Sequence, residues 1–137
     1  MVTICDTGPL VAFLDRREKH HEWAVEMMRQ VKSGPLWTCE AVLAEAFYFL
    51  REFELDVEPL FQMLERGAIR VDFSLDDSWP RVRTLMGRYR QMDLADASIV
   101  VMTERRKRCQ VLTLDRRDFT VYRRNDRQVI PFIAPPK

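Results

Sequence analysis

The hydrophobic pattern of the chain predicts short strands separated by longer helices. An apolar run at Val2–Cys5 stops at an acidic residue, and residues 69–73 alternate apolar and polar side chains, as a half-buried strand does. Two further apolar runs complete the predicted strands, at residues 111–114 and 129–133. Between the strands, apolar residues recur at helical spacing, which predicts helices over residues 8–14, 20–31, 40–53, 57–64, 82–89 and 95–106.

An alternation of strands and helices is typical of α/β domains. Parallel strands are joined by helical crossovers, and these helices cover both faces of the sheet. We therefore predict a three-layer α/β/α fold with a central, mostly parallel sheet. The length of 137 residues suits one domain over residues 1–137.

The composition is that of a globular domain. Apolar residues make up 47% of the chain and charged residues 31%, enough to fill one core beneath a charged surface. No apolar run approaches the ~20 residues of a membrane span, and the N-terminal residues lack the features of a signal peptide. Cys5, Cys39 and Cys109 have no CxxC spacing, which predicts small core residues in a reducing compartment rather than metal ligands or disulfides. We expect a cytoplasmic protein.

Basic residues are concentrated in one segment. Residues 104–127 hold nine Arg or Lys against four Asp or Glu, whereas residues 1–103 hold 12 basic and 17 acidic residues. Of the 22 basic residues in the chain, 18 are arginine, whose planar guanidinium suits phosphate oxygens. A solvated surface explains the segment equally well. Arg116 and Arg117, which follow Asp115, are the candidate contacts for the phosphates of a nucleic acid.

Acidic residues follow two of the predicted strands. Asp6 comes directly after the first strand, and Asp115 directly after residues 111–114. Ligands of open α/β sheets bind at the carboxyl ends of the strands, where the strand order reverses, so both carboxylates are candidates for a site. Each also has a structural explanation, because Asp6 could cap a helix and Asp115 could belong to a turn.

Three more acids lie on predicted helices. Asp93 and Asp96 precede the apolar run 97–101 at the spacing of a capping box, so each alone is better explained as a cap. Glu45 lies in the apolar stretch 41–50, AVLAEAFYFL, which predicts a helix that is mostly buried. A carboxylate buried there costs several kcal/mol unless it is protonated, paired or bound to a metal. The alternative is a Glu at the rim of the buried face, paired with an arginine.

Taken together, these acids predict a site for a hard divalent cation. Four or five carboxylates at one mouth of the sheet repel each other and would repel a phosphodiester. Mg²⁺ takes oxygen ligands, keeps several waters, can activate one of them and offsets charge on a leaving oxygen. An acidic pocket beside an arginine-rich segment is the layout of a phosphodiester hydrolase.

Four segments of the chain resemble those of the PIN-domain ribonucleases. They occur in order through nearly the whole chain: CDTGPLVAFL, AVLAEAFYFL, MDLADASIVV and VLTLDRRDF. Within that family, the chain resembles the toxins of bacterial and archaeal type II toxin–antitoxin pairs (VapC-like). The resemblance implies a metal-dependent endoribonuclease that cuts RNA with Mg²⁺ or Mn²⁺.

The resemblance also assigns roles to single residues. Asp6, Glu45, Asp96 and Asp115 match the four catalytic, metal-binding acids of the family. Asp93 matches an accessory acid of the metal site, and Thr113 matches a hydroxyl that supports the pocket. Asp118 is expected to face solvent or an arginine. An RNA substrate and an inhibiting antitoxin protein are the implied partners, with a homodimer as one option.

A second class of function is a PIN scaffold that does not catalyse and serves as an RNA- or protein-binding module. The intact set of acids argues against it, because an inactive relative has no reason to keep a costly cluster of charge. Cleavage assays with and without divalent metal distinguish the two classes.

Overall fold

Five parallel strands form the central sheet. The computed structural model describes residues 1–31 and 34–137, and the sheet has the strand order β3-β2-β1-β4-β7. A separate antiparallel pair, β5-β6, forms a hairpin. In chain order the strands are β1 (Val2–Cys5), β2 (Leu36–Thr38), β3 (Ile69–Val71), β4 (Cys109–Leu112), β5 (Arg123–Arg124), β6 (Gln128–Val129) and β7 (Phe132–Ile133).

Helices flank this sheet. Helix α1 packs against α2 and α3, and α5 packs against α6. In chain order the helices are α1 (Thr7–Leu14), α2 (His21–Gln30), α3 (Glu40–Glu52), α4 (Glu58–Glu65), α5 (Leu75–Arg88), α6 (Leu94–Glu104) and α7 (Arg116–Val121). The predicted α/β fold with a parallel central sheet is confirmed. In the two described ranges, no helix has the length and apolar content that crossing a membrane requires.

The core lies around the two central strands. Ile4 of β1, Val111 of β4 and Ile99 of α6 are fully buried. Burial of such aliphatic side chains contributes roughly 1.5–3 kcal/mol each. Cys5, Cys39 and Cys109 are free thiols within this core, as predicted.

The chain reverses direction across the sheet between β1 and β4. From β1 it moves outward to β2 and then β3, and it returns to place β4 on the other side of β1. Parallel pairing aligns Cys5 with Leu112, so β1 and β4 end at the same level. This reversal is the position where α/β sheets bind ligands.

Several short elements were not predicted. Strand β2 has three residues and α7 has six, which is too short for a hydrophobic period to be recognised. The strand predicted at residues 129–133 is two strands, because Val129 pairs in the hairpin while Phe132 and Ile133 pair with β4. Pro131 stands between them and has no N–H to continue a ladder. The strand predicted at 111–114 is β4, which begins and ends two residues earlier.

Helix α3 is less buried than the sequence predicts, because part of its apolar surface is exposed. Tyr48, Phe49 and Phe53 are 60%, 38% and 42% exposed, and their rings contact one another along the helix. The buried face of α3 is formed by Val42, Ala46 and their neighbours. Hydrophobicity alone could not tell the buried face from an exposed aromatic row, because both are apolar.

Candidate active site

A pocket of about 430 Å³ opens where β1 and β4 end. Six carboxylates line it, together with Thr7, Gly8, Gln91 and Leu114, and no basic side chain does so among the residues described. The acids are Asp6, Glu45, Asp93, Asp96, Asp115 and Asp118. All five acids singled out in the sequence are therefore brought to one place.

Asp6 is the most deeply buried of these acids, at 9% exposed. It is the N-cap of α1, and its Oδ1 accepts from the Thr7 amide at 2.8 Å. Its Oδ2 accepts from the Thr113 hydroxyl at 2.8 Å, across the β1–β4 boundary. The cap function and the position in the pocket thus belong to the same side chain.

Thr113 joins two of the acids. Its side chain is fully buried after β4, where Oγ1 donates to Asp6 and accepts from the backbone N–H of Asp115 at 2.9 Å. Asp115 in turn caps α7 by accepting from the Asp118 amide at 3.0 Å. The turn expected at Asp115 is the start of a short helix.

Asp93 and Asp96 form a capping box at the start of α6. Asp93 Oδ1 accepts from the Asp96 amide at 2.8 Å, and Asp96 Oδ2 faces the Asp93 amide at 3.5 Å. The same Asp96 oxygen accepts from the Tyr122 hydroxyl at 2.8 Å. Asp96 therefore takes part in the cap while its carboxylate lies on the pocket.

Glu45 lies at the rim of the pocket and is partly buried. Its Oε1 accepts from the Thr7 hydroxyl at 2.7 Å, and it forms no salt bridge within the described residues. Of the two alternatives drawn from the sequence, the rim position is found and the arginine partner is not. Thr7 connects the start of α1 to the middle of α3.

The crowded acids hold their protons more tightly than usual. Burial raises the pKa of Asp6 to about 6, with the charges of Glu45 and Asp93 adding to it and two hydrogen bonds opposing it. Burial likewise raises the pKa of Asp96 to about 7, assisted by the charges of Asp93 and Asp6 and opposed by the bond from Tyr122. A positive charge bound in the pocket would stabilise the ionised carboxylates.

The residues present fit a hard divalent cation. Every polar side-chain atom that lines the pocket is an oxygen except the Gln91 amide nitrogen. Oxygen is the ligand atom that Mg²⁺ and Mn²⁺ prefer. Glu45, Asp93, Asp96 and Asp115 each keep one carboxylate oxygen outside the hydrogen bonds of the described residues. In residues 1–31 and 34–137, no three such side chains are already arranged to hold one ion. Side-chain rotation would have to gather them.

Asp118 is a pocket residue that the sequence did not reveal. The prediction that it faces solvent or an arginine is incomplete, because it lines the acid pocket as well as the cleft that holds Arg117. Burial raises its pKa, together with a hydrogen bond and the charge of Asp115. Its spacing of three residues from Asp115 was the available signal, since it places both on the first turn of α7.

Much of the basic segment binds the protein itself. Arg123 donates to carbonyls at the end of α7, Arg124 is buried against Lys107 and Cys109, and Arg106 forms a salt bridge with Asp72. These three arginines are therefore occupied by contacts within the protein. Arginine has five donors, and the ends of short elements here supply carbonyls for them.

Arg116 and Arg117 lie on different sides of Asp115. Arg116 Nη2 donates to the carbonyls of Pro135 at 3.0 Å and Ala134 at 3.4 Å, and its guanidinium lies 5.8 Å from the Phe132 ring centroid. Arg117 is exposed in a cleft that it shares with Asp118. Neither lines the acid pocket in the part of the chain that the structure describes.

Comparison with known proteins agrees with this geometry. No curated protein matches the chain. The family model of the PIN domain matches residues 3–125, which include β4, all but the first residue of β1 and all six acids of the pocket. A match over that length, on a parallel sheet whose acids meet at the strand reversal, shows that the chain belongs to the PIN domain family.

Proposed function

We propose that this chain is an endoribonuclease that hydrolyses RNA phosphodiester bonds at the acid pocket with Mg²⁺ or Mn²⁺. PIN domains are generally metal-dependent nucleases, which sets the reaction class. The observation that carries the proposal is the pocket of six carboxylates without a basic side chain among the residues described. Such a pocket repels a phosphodiester until its charge is offset.

Asp6, Glu45, Asp96 and Asp115 are the proposed catalytic acids, and with Asp93 they are the proposed metal ligands. Their placement after β1, on α3, on α6 and after β4 supports this, because each approaches the pocket from a different part of the fold. Rigid elements hold a site more accurately than loops do.

The chain's own residues orient these carboxylates. Thr113 and the Thr7 amide fix Asp6, Tyr122 fixes Asp96, and the Thr7 hydroxyl fixes Glu45. When bound, a divalent cation supplies positive charge against the phosphate and makes a water molecule more nucleophilic. Deprotonation of Asp6 and Asp96, whose pKa values are raised, must accompany binding of the cation.

The toxin role and the antitoxin partner belong to this proposal. The resemblance of four segments to VapC-like toxins supports both. A nuclease of this kind needs an inhibitor, and an amphipathic helix with an arginine would suit a pocket that has six acids and no base. A cytoplasmic location and one domain over residues 1–137 are proposed with it, and a homodimer stays an option.

The test is cleavage of RNA by purified protein. Mg²⁺ or Mn²⁺ should support cleavage and EDTA should abolish it. Asp6→Asn and Asp96→Asn should each lower kcat by about a hundredfold or more, since each removes a proposed ligand. Asp76→Asn is the matched control, because Asp76 is exposed on α5 and does not line the pocket.

Two other results would count against the proposal. Cleavage that survives both pocket substitutions, in protein freed of contaminating nuclease, would overturn it. Metal-independent binding of RNA with no cleavage in Mg²⁺ or Mn²⁺ would favour the non-catalytic module. The toxin role is tested separately, by expressing the chain with and without the neighbouring open reading frame and measuring growth and RNA integrity.

A further inference from the structure

We propose that a basic cleft beside the acid pocket holds the phosphate next to the one that is cut. This basic cleft, of about 370 Å³, is lined by Lys19, His20, Arg116 and Lys137, with Leu114 and the tail 134–136 completing it. The inference rests on the proposed function and adds a subsite to it. Among the described residues, no Asp or Glu side chain lines the basic cleft.

The basic cleft and the acid pocket are immediate neighbours. Leu114 lines both, so one side chain separates a surface of carboxylates from a surface of cations. A single strand that places one phosphate at the acid pocket must place the adjacent phosphate within one nucleotide of it. On the Leu114 side, that position is the basic cleft.

Gly8 makes this close arrangement possible. A Cβ at Gly8 would lie 2.6 Å from Leu114 Cγ, so the start of α1 and the segment after β4 approach more closely than any other residue would allow. The backbone at Gly8 therefore lies directly against the Leu114 side chain that separates the two surfaces.

The cations of the basic cleft are available for a ligand. Arg116 is held by Pro135 and Ala134 through Nη2 alone, which leaves Nε and Nη1 outside the hydrogen bonds of the described residues. Neither Lys19 nor Lys137 takes part in a salt bridge there. By contrast, Arg81 and Arg88 are neutralised by Glu104 and Asp126. Uncompensated cations beside a site of nuclease chemistry suit a phosphate.

The other side of the acid pocket is less favourable for a phosphate. Consecutive residues of a helix diverge by about 100°, which sends Arg117 to a second cleft of about 540 Å³. That second cleft also contains Asp115 and Asp118, so its cation is offset by two acids. The geometry thus selects the side of Arg116, although the two arginines are adjacent in sequence.

The experiment measures the salt dependence of RNA binding. A fluorescent single-stranded RNA of about 12 nucleotides is titrated in Mg²⁺ and followed by anisotropy at several salt concentrations. Every protein carries Asp6→Asn, so that the strand stays intact. Lys19→Gln with Lys137→Gln should weaken binding and flatten the slope of log affinity against log salt by about 0.7, the value for one phosphate contact on a single strand.

A matched control loses the same charge at the amino-terminal end of β4, whereas the acid pocket lies at its carboxyl end. Lys107→Gln with Arg108→Gln changes two exposed cations that precede β4 and should leave the slope unchanged. Both double variants should keep the melting temperature of their parent, since exposed substitutions of this kind seldom change stability. The salt dependence of RNA binding is also measured for His20→Gln, which changes the basic cleft but keeps both lysines.

The outcomes separate this inference from the proposed function. Equal slopes for all proteins, or no RNA binding at any salt concentration, would overturn the basic cleft as a subsite even if the wild-type chain cuts RNA. Failure of the wild-type chain to cut RNA would overturn the function. Binding of an oligoglutamate peptide by the parent that is lost in the Lys19/Lys137 variant, while the RNA slopes of the two proteins are equal, would reassign the basic cleft to an acidic polypeptide.

Discussion

The Tyr122 hydroxyl is buried against the carboxylate of Asp96. Its ring is fully buried and packs edge-on against Phe119 and Tyr89, so the hydroxyl has little freedom. Burial and the bond to Asp96 raise the pKa of Tyr122, which keeps the hydroxyl protonated and donating. A donor of this kind stabilises the ionised form of Asp96, the form that binds a cation.

Tyr122→Phe should therefore weaken metal binding without unfolding the protein. The ring packing is retained, but the carboxylate loses its donor and holds its proton more tightly. Loss of such an outer contact should raise the Kd for Mn²⁺ about tenfold, as measured by calorimetry near neutral pH. Tyr89→Phe is the control, because the Tyr89 hydroxyl accepts from the Arg123 amide instead of contacting an acid. Equal Mn²⁺ affinity in both variants would contradict the positioning role of Tyr122.

Among the structural elements, the N-caps of helices supply three of the pocket's six acids. Asp6, Asp93 and Asp115 are the N-caps of α1, α6 and α7. Each uses a carboxylate oxygen to satisfy backbone N–H groups, and the positive end of the helix dipole favours the ionised carboxylate. The sequence left open whether these residues cap helices or belong to the site, and each of them does both.

Asp93 allows the two contributions to be separated. Asp93→Asn keeps the cap, because Asn caps about as well as Asp, but removes a negative charge. Metal-free Asp93→Asn should therefore be as stable as the wild type or more stable, whereas Asp93→Ala should lose about 1 kcal/mol of unfolding free energy. Urea denaturation in EDTA measures both.

The response to Mg²⁺ then decides whether Asp93 is more than a cap. If it is a ligand, the stabilisation that Mg²⁺ gives should be smaller in Asp93→Asn than in the wild type, since binding to the folded state alone stabilises it. An identical response in the two proteins would leave Asp93 with the cap alone.

At the scale of the whole molecule, the acid pocket makes metal-free stability depend on pH. Asp6 and Asp96 have raised pKa values of about 6 and about 7 in the folded protein, against 3.8 for an unperturbed aspartate side chain. The folded state thus binds protons that the unfolded chain releases. The stability that these two groups contribute is complete below about pH 4 and is lost as the pH rises through 6 and 7.

Removing one of these groups should reveal that dependence. Asp96→Asn should gain stability relative to the wild type as the pH rises from about 5 to about 8 in EDTA, because only the wild type acquires the extra charge. Mg²⁺ should stabilise the wild type more at the upper pH than at the lower one. Thermal melts of both proteins at fixed ionic strength provide the measurement. A stability difference that does not change with pH would mean that Asp96 titrates normally.

How far the sequence predicted the site can be judged from particular residues. Asp6 and Asp115 could be placed because parallel strands end at one edge, and Asp93, Asp96 and Glu45 because their segments resemble a known family. Tyr122 could not, and Asp118 had only its spacing from Asp115 as a signal, since α7 is too short to have a recognisable period. The basic cleft was equally hidden, because Lys19, Arg116 and Lys137 are far apart in the chain.

The sequence by itself determined the α/β class, the parallel sheet and the set of acids near its carboxyl edge. These follow from the period of hydrophobic residues and from order along the chain, which are local properties. The tertiary structure alone decided which face of α3 is exposed, which arginines bind the protein itself, and on which side of Leu114 the free cations lie. Those outcomes depend on contacts between distant segments, such as Gly8 against Leu114, and no local pattern encodes them.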